Sequence, residues 1–233
     1  MHSLRAVVTT HFTEHIAKEA VLELQRLIFN CPQLRLLSMT LILPLEGFWT
    51  CIPKSPPSSV AFDPEGMASF PPLRELRLDG YFVSSEEWHI WRKGLDWQKL
   101  TSLSLGRRPT GHFLDVMKDV VPNLRILKIS IYDKGNPDMG IRVEKFLRSF
   151  ETLEELVLDG FLVPVEAIAQ HSKLMTLHMH IADALLAQRA TLSRAQLEYL
   201  NRKCPRIENL RLDFNRDSEW VGGTPIRHRD HPG

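Results

Sequence analysis

The chain has 233 residues, of which 43% are hydrophobic and 24% are charged, and its formal net charge is +1. This composition is typical of a globular protein and excludes a wholly disordered chain. Lysine and arginine are scattered along the sequence, which argues against a dedicated nucleic-acid or anionic-membrane surface, because such binding depends on clustered cations.

Three cysteines and the lack of an Asn-x-Ser/Thr site argue against a disulfide-stapled secreted protein. The first residues show no basic segment followed by an apolar one, so no signal peptide is expected. The longest apolar run, residues 36–45, is interrupted by Ser38, Thr40 and Pro44. It is far shorter than the ~20 residues of a membrane-spanning helix. We therefore expect a cytoplasmic or nuclear protein with no membrane contact and no nucleic-acid partner.

Leucine accounts for 34 residues, and many of them recur in the phrase Leu-x-x-Leu-x-Leu. A weak copy of this phrase begins at Leu4, with Val7 and Thr9 in its later positions. Seven clearer copies, in which Ile or Met sometimes replaces Leu, begin at Leu34, Leu73, Leu100, Leu124, Leu153, Leu174 and Ile207. The mean spacing is 29 residues, and spacings of ~20–29 residues are typical of leucine-rich repeats.

In chain order, each phrase predicts a short strand with one buried face, and helical patterns lie between the phrases. The helical patterns cover residues 14–29, the stretch after the capping box Ser84-x-x-Glu87, the stretch after Thr110, and the stretch after the capping box Ser193-x-x-Gln196. Alternating strands and helices predict an α/β fold. We expect a right-handed solenoid of about eight irregular leucine-rich repeats, with a parallel sheet on the concave face and helices on the convex face.

The repeats define one predicted domain over residues 1–215. Residues 44–69 are rich in proline and serine, so an irregular insertion is expected there. After Phe214 the sequence shows no apolar period, and residues 216–233 are predicted to form a disordered C-terminal tail.

A short proline-containing phrase precedes several repeats, as Cys31-Pro-Gln-Leu34, Phe70-Pro-Pro-Leu73, Val121-Pro-Asn-Leu124 and Cys204-Pro-Arg-Ile207. It resembles the cysteine-containing leucine-rich repeats of F-box proteins, especially their divergent, fungal-like members, over roughly residues 4–214. The resemblance implies the substrate-recognition part of a Skp1–cullin ubiquitin ligase, which holds a protein substrate on its repeats. The F-box itself is absent, so Skp1 is expected as a partner only if an F-box region is supplied. The alternative is a stand-alone or truncated repeat scaffold with no ubiquitin-ligase role.

Side chains that flank the buried leucines of a strand project from the opposite face of the sheet. On the predicted concave face they form three rows, which start on the first strand with Ala6, Val8 and Thr10. Charged side chains of both signs recur along these rows, which suits recognition of a protein or peptide. The predicted partner-binding residues are Glu75, Arg77, Lys128, Glu155, His178, His180, Asn209 and Arg211.

A hydrolase or metal enzyme would use the third row, where Asp79, Asp159, His180 and Asp213 lie. However, Asp79 and Asp159 each precede a glycine, an arrangement typical of turns that follow strands, and structural zinc needs four close ligands. The sequence has no nucleophile elbow, phosphate-binding loop or His-Glu-x-x-His motif. We therefore expect a binding protein without catalytic residues, metal or cofactor, and not an enzyme.

The three tryptophans have a structural and a binding interpretation, whereas the two cysteines have a structural one. Trp88, Trp91 and Trp97 would form either an aromatic anchor for a partner or part of the core, and the i, i+3 spacing of the first two favours the core. Cys31 and Cys204 stand where the F-box repeats carry a structural cysteine. The resemblance therefore implies that both pack as small buried thiols.

Overall fold

The computed structural model of the protein describes residues 2–9, 23–42, 70–80, 85–106, 111–130, 138–180 and 192–213. The predicted insertion at 44–69, the predicted tail at 216–233 and the predicted capping box at Ser84 lie outside the described residues. Of the predicted helix at 14–29, residues 23–29 are described and are helical.

The described residues form eight strands. In the second to the seventh of them, buried and more exposed side chains alternate as the leucine phrases predict, whereas Leu210 in the eighth is 46% exposed. The strands are β1 (Ser3–Thr9), β2 (Leu36–Ile42), β3 (Glu75–Asp79), β4 (Ser102–Leu105), β5 (Ile126–Ser130), β6 (Glu155–Asp159), β7 (Thr176–His180) and β8 (Asn209–Leu212). They pair in their order along the chain, every pairing is parallel, and together they form one sheet. Among the described strands, β1 and β8 have one neighbour each, so the sheet is not closed into a barrel. The predicted α/β fold with a parallel sheet is confirmed.

Helices lie in most of the connections, because parallel neighbours need a long crossover between them. In the described ranges these are α1 (residues 23–29), α2 (Ser85–Gly94), α3 (Gly111–Met117), α4 (Met139–Leu147), α5 (Val165–Ile168) and α6 (Arg194–Lys203), with a 3-10 turn at Trp97–Lys99. The predicted capping box of α6 is confirmed. The Ser193 hydroxyl accepts the Gln196 amide, and the Gln196 side-chain oxygen accepts the Ser193 amide.

One face of the sheet carries the hydrophobic core. Each of the strands β2 to β7 contributes one fully buried leucine to a continuous row, which is Leu37, Leu76, Leu103, Leu127, Leu156 and Leu177. Side chains from the helices pack into the same cluster, among them Leu24, Trp88, Phe113, Phe146 and Ile168. Burial of one leucine side chain contributes about 2 kcal/mol. The helices therefore cover one face of the sheet and leave the other face open.

A ladder of hydrogen bonds lies at the amino edge of the sheet, where the strands begin. The Arg74 carbonyl accepts the amides of Thr101 at 2.8 Å and of Ser102 at 3.0 Å. Two successive amides of the next repeat donate in the same way to each of the carbonyls of His2, Arg35, Thr101, Arg125, Glu154 and Met175. The ladder satisfies backbone groups that the turns would otherwise leave unpaired, and it holds successive repeats in register.

The register of β1 differs from the predicted one by three residues. Leu4 pairs with Leu37 and Ala6 pairs with Met39, so Leu4 occupies the second position of the phrase and not the first. In the sequence, the phrase of the first repeat is therefore Met1-x-x-Leu4-x-Ala6. Alanine in the last position hides the repeat pattern, because it is the smallest residue found there.

The His2 carbonyl fixes this register, because its two hydrogen bonds to the second repeat match those made by the later repeats. A shift by an odd number of residues exchanges the two faces of a strand. The predicted row positions Ala6 and Val8 are therefore wrong, and the predicted position Thr10 lies outside the described residues. The residues of β1 that stand in register with the three rows are Ser3, Arg5 and Val7.

The three tryptophans around α2 belong to the core. Trp88, Trp91 and Trp97 are 1%, 0% and 5% exposed. The Trp88 ring lies 4.1 Å from the Phe113 ring and 6.2 Å from the Trp97 ring, measured between centroids. The core interpretation is confirmed, and these side chains leave too little surface for an aromatic anchor.

A second buried row runs through the turns that lead into the strands, three residues before the first Leu of each phrase. Its members are Cys31, Phe70, Trp97, Val121, Phe150, His171 and Cys204. Cys204 is buried, as predicted, and Cys31 is partly buried. Burial raises the pKa of the Cys204 thiol, so it packs as a neutral group.

His171 is the polar exception in this row. Its side chain is fully buried, and its ring centroid lies 5.4 Å from that of Phe150. Neither ring nitrogen makes a hydrogen bond of regular geometry within the described residues. Burial lowers the pKa of His171 from 6.5 to about 4, and the nearby Glu151 backbone opposes only part of this shift. The imidazole is therefore uncharged at neutral pH.

Candidate functional site

The open face of the sheet carries its side chains in three rows that run across the strands. From β2 to β8 the first row is Leu36, Glu75, Ser102, Ile126, Glu155, Thr176 and Asn209. The second row is Ser38, Arg77, Ser104, Lys128, Val157, His178 and Arg211. The third row is Thr40, Asp79, Ser130, Asp159 and His180, with Gly106 and Asp213 directly after β4 and β8. All eight predicted partner-binding residues lie on this face.

Charge on the open face is arranged in bands. The second row is basic between β3 and β8, and its cations are Arg77, Lys128 and Arg211. The flanking rows are acidic, and their carboxylates are Glu75, Glu155, Asp79, Asp159 and Asp213. Adjacent strands are ~4.8 Å apart, so these groups lie within reach of one extended partner segment.

Two ion pairs join the basic band to the first row. The Arg77 guanidinium pairs with the Glu75 carboxylate on the same strand. The Lys128 ammonium lies 2.8 Å from the Glu155 carboxylate on the neighbouring strand. These side chains are partly exposed to solvent, and such pairs contribute at most ~1 kcal/mol to stability. The two ion pairs therefore hold the charged groups in position but contribute little to the stability of the fold.

Two histidines stand side by side along β7 on this face. Partial burial lowers the pKa of His178, with the positive charge of Arg211 acting in the same direction and Glu155 opposing it. His178 is therefore neutral at neutral pH. His180 places its Nδ1 atom 2.9 Å from an oxygen of the Asp213 carboxylate, which follows β8. This pair ties the end of the third row to the last strand.

A shallow groove of about 360 Å³ opens at the carboxyl ends of β2 to β5. The polar side chains that line it are those of Ser38, Thr40, Arg77, Asp79, Ser104 and Ser130. Gly106 also lines it, and a Cβ atom there would stand 2.7 Å from the Asp79 Cγ atom. The lack of a side chain at Gly106 therefore leaves the space that the Asp79 carboxylate occupies. Sequence reasoning missed this role, although the glycine directly after a strand was visible.

The residues of the hydrolase or metal hypothesis are spread along the third row. Asp159 and His180 are register neighbours, and His180 contacts Asp213. Asp79 lies three strands from Asp159, about 14 Å at the usual strand spacing. Within the described ranges, no group of three or more His, Cys, Asp or Glu side chains is placed to hold a metal ion. The arrangement is that of a charged surface.

The two Asp-Gly pairs that follow strands are turns, as predicted. Gly80 and Gly160 have φ values of 69° and 99°. These values lie in a region that glycine adopts readily and that other residues rarely do. The aspartates before them are therefore fixed at the strand ends by backbone geometry.

A second charged surface, at the amino edge, was missed by the sequence analysis. A groove of about 550 Å³ lies beside the turns that lead into β2 to β5, and its cations are Arg35, Arg74, Lys99 and Arg125. The sequence did contain a sign of this basic surface, because three repeats begin with Leu-Arg, at 34–35, 73–74 and 124–125. Only the turn geometry brings Lys99 to the same groove.

Comparison with protein-family models and with curated proteins finds no match to this chain. In the ranges that the structure describes, no helix combines the length and the apolar character needed to cross a membrane. The function of the protein is therefore indicated by the chain's own repeats, by the register of its strands and by the charges of the open face.

Proposed function

We propose that this chain is a protein-interaction module that binds a protein partner on the open face of its sheet. The fold would be a right-handed leucine-rich-repeat solenoid, in which the open face is concave and the helices lie on the convex side. Strand order along the chain, wholly parallel pairing and the repeated carbonyl ladder support this assignment. Crossovers between parallel strands are right-handed in nearly all proteins.

The single observation that carries the proposal is the alignment of polar side chains in register from β2 to β8. A monomeric surface has no structural need for a basic band flanked by two acidic bands, since exposed ion pairs add little stability. Complementary charge on a partner would instead fix orientation and exclude wrong partners. The residues proposed to contact it are Glu75, Arg77, Lys128, Glu155, His178, His180, Asn209 and Arg211.

The partner surface is tested by a triple substitution of Arg77, Lys128 and Arg211 with alanine. The matched control replaces Arg148, Arg194 and Arg202 with alanine, because Arg148 is as exposed as Lys128, at 45%, and is also ion-paired. Each immobilised protein is incubated with cell lysate, and the retained proteins are compared. We expect a protein that the unaltered chain and the control retain and that the face variant loses. If the face variant retains every partner of the control, the open-face assignment is wrong.

The resemblance to F-box repeats supports a narrower role as the substrate-recognition part of a Skp1–cullin ubiquitin ligase. The same retained fractions are scored for Skp1 and cullin. Their recovery supports the receptor role. Retention of another protein on the open face without Skp1 and cullin supports the alternative, which is a stand-alone or truncated repeat scaffold without a ubiquitin-ligase role.

A further inference from the structure

The groove at the amino edge is formed by the turns that precede the strands, and it is distinct from the open face. Its cations come from four successive repeats, as Arg35, Arg74, Lys99 and Arg125. With strands ~4.8 Å apart, the groove extends about 14 Å from the second repeat to the fifth. None of the described residues that line it is acidic.

The turns that carry these cations are held firmly. The carbonyls of Arg35, Arg74 and Arg125 each accept two backbone amides from the next repeat. The Asn123 side-chain amide donates to the Gln98 carbonyl at 2.9 Å, and the Arg35 guanidinium donates to the Pro72 carbonyl at 3.2 Å. The backbone positions of the cations are therefore set before any ligand arrives.

The positive charge of the groove is only partly neutralised. Lys99 lies 2.9 Å from the Asp96 carboxylate, and Arg125 lies 3.5 Å from that of Glu154. Within the described residues, no carboxylate lies within ion-pairing distance of Arg35 or Arg74. Among the described residues, the positive charge at the Arg35 and Arg74 end of the groove is therefore not balanced by a carboxylate.

The basic character ends where the groove ends. The position that Arg35, Arg74 and Arg125 occupy in their repeats is taken by Glu154 and Glu208 in later repeats. The amino edge thus changes sign along the sheet. An anionic ligand would be attracted to the first half of the edge and repelled from the second.

We propose that this groove binds an acidic, extended segment of a partner protein, with carboxylates on the guanidinium groups of Arg35, Arg74 and Arg125. Guanidinium groups bind carboxylates in a bidentate manner, and their long side chains can adjust to the ~6.7 Å repeat of alternate residues in an extended peptide. A nucleic acid fits less well, because none of the described residues that line the groove is an aromatic residue on which a base could stack. At about 14 Å, the groove is also short for the ~4–16 nucleotides that a single-strand-binding fold covers. The groove is separate from the open face, so binding of an acidic segment there does not depend on the partner proposed for the open face.

The test uses a fluorescent peptide of alternating glutamate and glycine, with a glutamine and glycine peptide as the neutral control. Fluorescence anisotropy should show saturable binding of the acidic peptide below about 1 mM, weakened by added salt. Arg74→Gln is the informative variant, because the Arg74 side chain makes no ion pair within the described residues. We expect it to weaken binding about fivefold, and Arg74→Gln with Arg125→Gln more strongly.

The matched control is Arg202→Gln, an exposed arginine in the last turn of α6, which should leave the affinity unchanged. Thermal unfolding by circular dichroism shows whether each variant is folded. The proposal is overturned if the acidic peptide fails to bind, or if Arg202→Gln weakens it as much as Arg74→Gln. Tighter binding of a single-stranded oligothymidine, or equal binding of the neutral peptide, also overturns it.

Discussion

In β4, Leu103 and Leu105 are buried against the helices, whereas Ser102 and Ser104 lie on the open face and are partly exposed. The same division holds along the sheet: the buried row repeats leucine from β2 to β7, and the neighbouring open row changes from Ser38 through Lys128 to Arg211. The core needs an apolar side chain of similar volume at each strand, and leucine supplies it in each of these strands. A protein partner on the proposed binding face would present different chemistry at each strand, so no single residue type would suit the open row. The repeated leucine row therefore marks the residues that stabilise the fold, and the varied open row marks the residues at which we expect binding.

The largest loss of stability is expected when a small residue replaces a leucine on the buried side of the sheet. Leu103→Ala should lower the free energy of unfolding by about 3 kcal/mol, because it removes transfer free energy and leaves a cavity in a closely packed row. Ser104→Ala, the adjacent residue on the open side, should change it by less than about 0.5 kcal/mol. Urea unfolding followed by circular dichroism measures both. Equal effects would contradict the division between the two faces.

The buried side also contains a titratable residue, and its contribution depends on pH. His171 has a pKa of about 4 in the folded protein and about 6.5 when exposed. Between these values the unfolded chain takes up a proton that the folded chain does not, so stability falls as the pH drops from 6.5 to 4. Above pH 6.5 both states are neutral and this dependence ends. The loss should reach about 3 kcal/mol.

The control for this prediction is His171→Cys, because Cys204 shows that a thiol fits the same position of a repeat. The Cys204 Sγ atom lies 3.5 Å from the His171 carbonyl oxygen, which the substitution retains. Unfolding of the two proteins is compared at pH 7 and pH 4, so that titrating carboxylates shared by both cancel. If the variant loses as much stability as the unaltered protein, His171 is not the group responsible.

A smaller effect is expected at the start of α6, where a side chain caps the helix outside the core. Ser193→Ala removes the acceptor for the Gln196 amide and should cost about 1 kcal/mol. Ser193→Asp should retain most of the stability, because aspartate is also a good capping residue. Thermal unfolding of both variants distinguishes the cap from a general effect of substitution. An alanine variant as stable as the aspartate variant would refute the cap.

The smallest change in stability is expected from the ion pair of Lys128 and Glu155 on the open face. A double-mutant cycle with Lys128→Ala and Glu155→Ala should give a coupling free energy below about 1 kcal/mol, because both side chains are partly solvated. The coupling should decrease further in high salt. A coupling of several kcal/mol would mean that this pair serves the fold and would weaken its assignment to partner binding.

Much of the fold could be predicted because leucine marks both the period of the repeat and the buried face of each strand. The prediction failed at β1, where Ala6 occupies a leucine position and Leu4 fits two registers. Helix α4 was not predicted individually, although Met139, Val143 and Phe146 have helical spacing. Helix α5 has only four residues, which is too short to show a period.

The candidate sites also contain features that could be predicted from the sequence and features that could not. The open rows from β2 to β8 could be predicted, because side chains alternate strictly along a strand. The neighbouring positions of Asp79 and Gly106 follow from the same rows, but the close packing of the Asp79 carboxylate over Gly106 could not be predicted, because it depends on how adjacent strands end. Lys99 and Arg74, from neighbouring repeats, line the same groove at the amino edge, and their separation in sequence carries no sign of this.

The sequence by itself determined the repeat, the parallel α/β architecture and the set of side chains that share each face, because these follow from local periodicity and from the need to bury leucine. The tertiary structure decided the register of β1, the complete burial of the His171 side chain and the amino-edge groove. These features depend on which turn stacks on which, and that is settled by hydrogen bonds between residues more than 20 positions apart, such as the bond from the Thr101 amide to the Arg74 carbonyl.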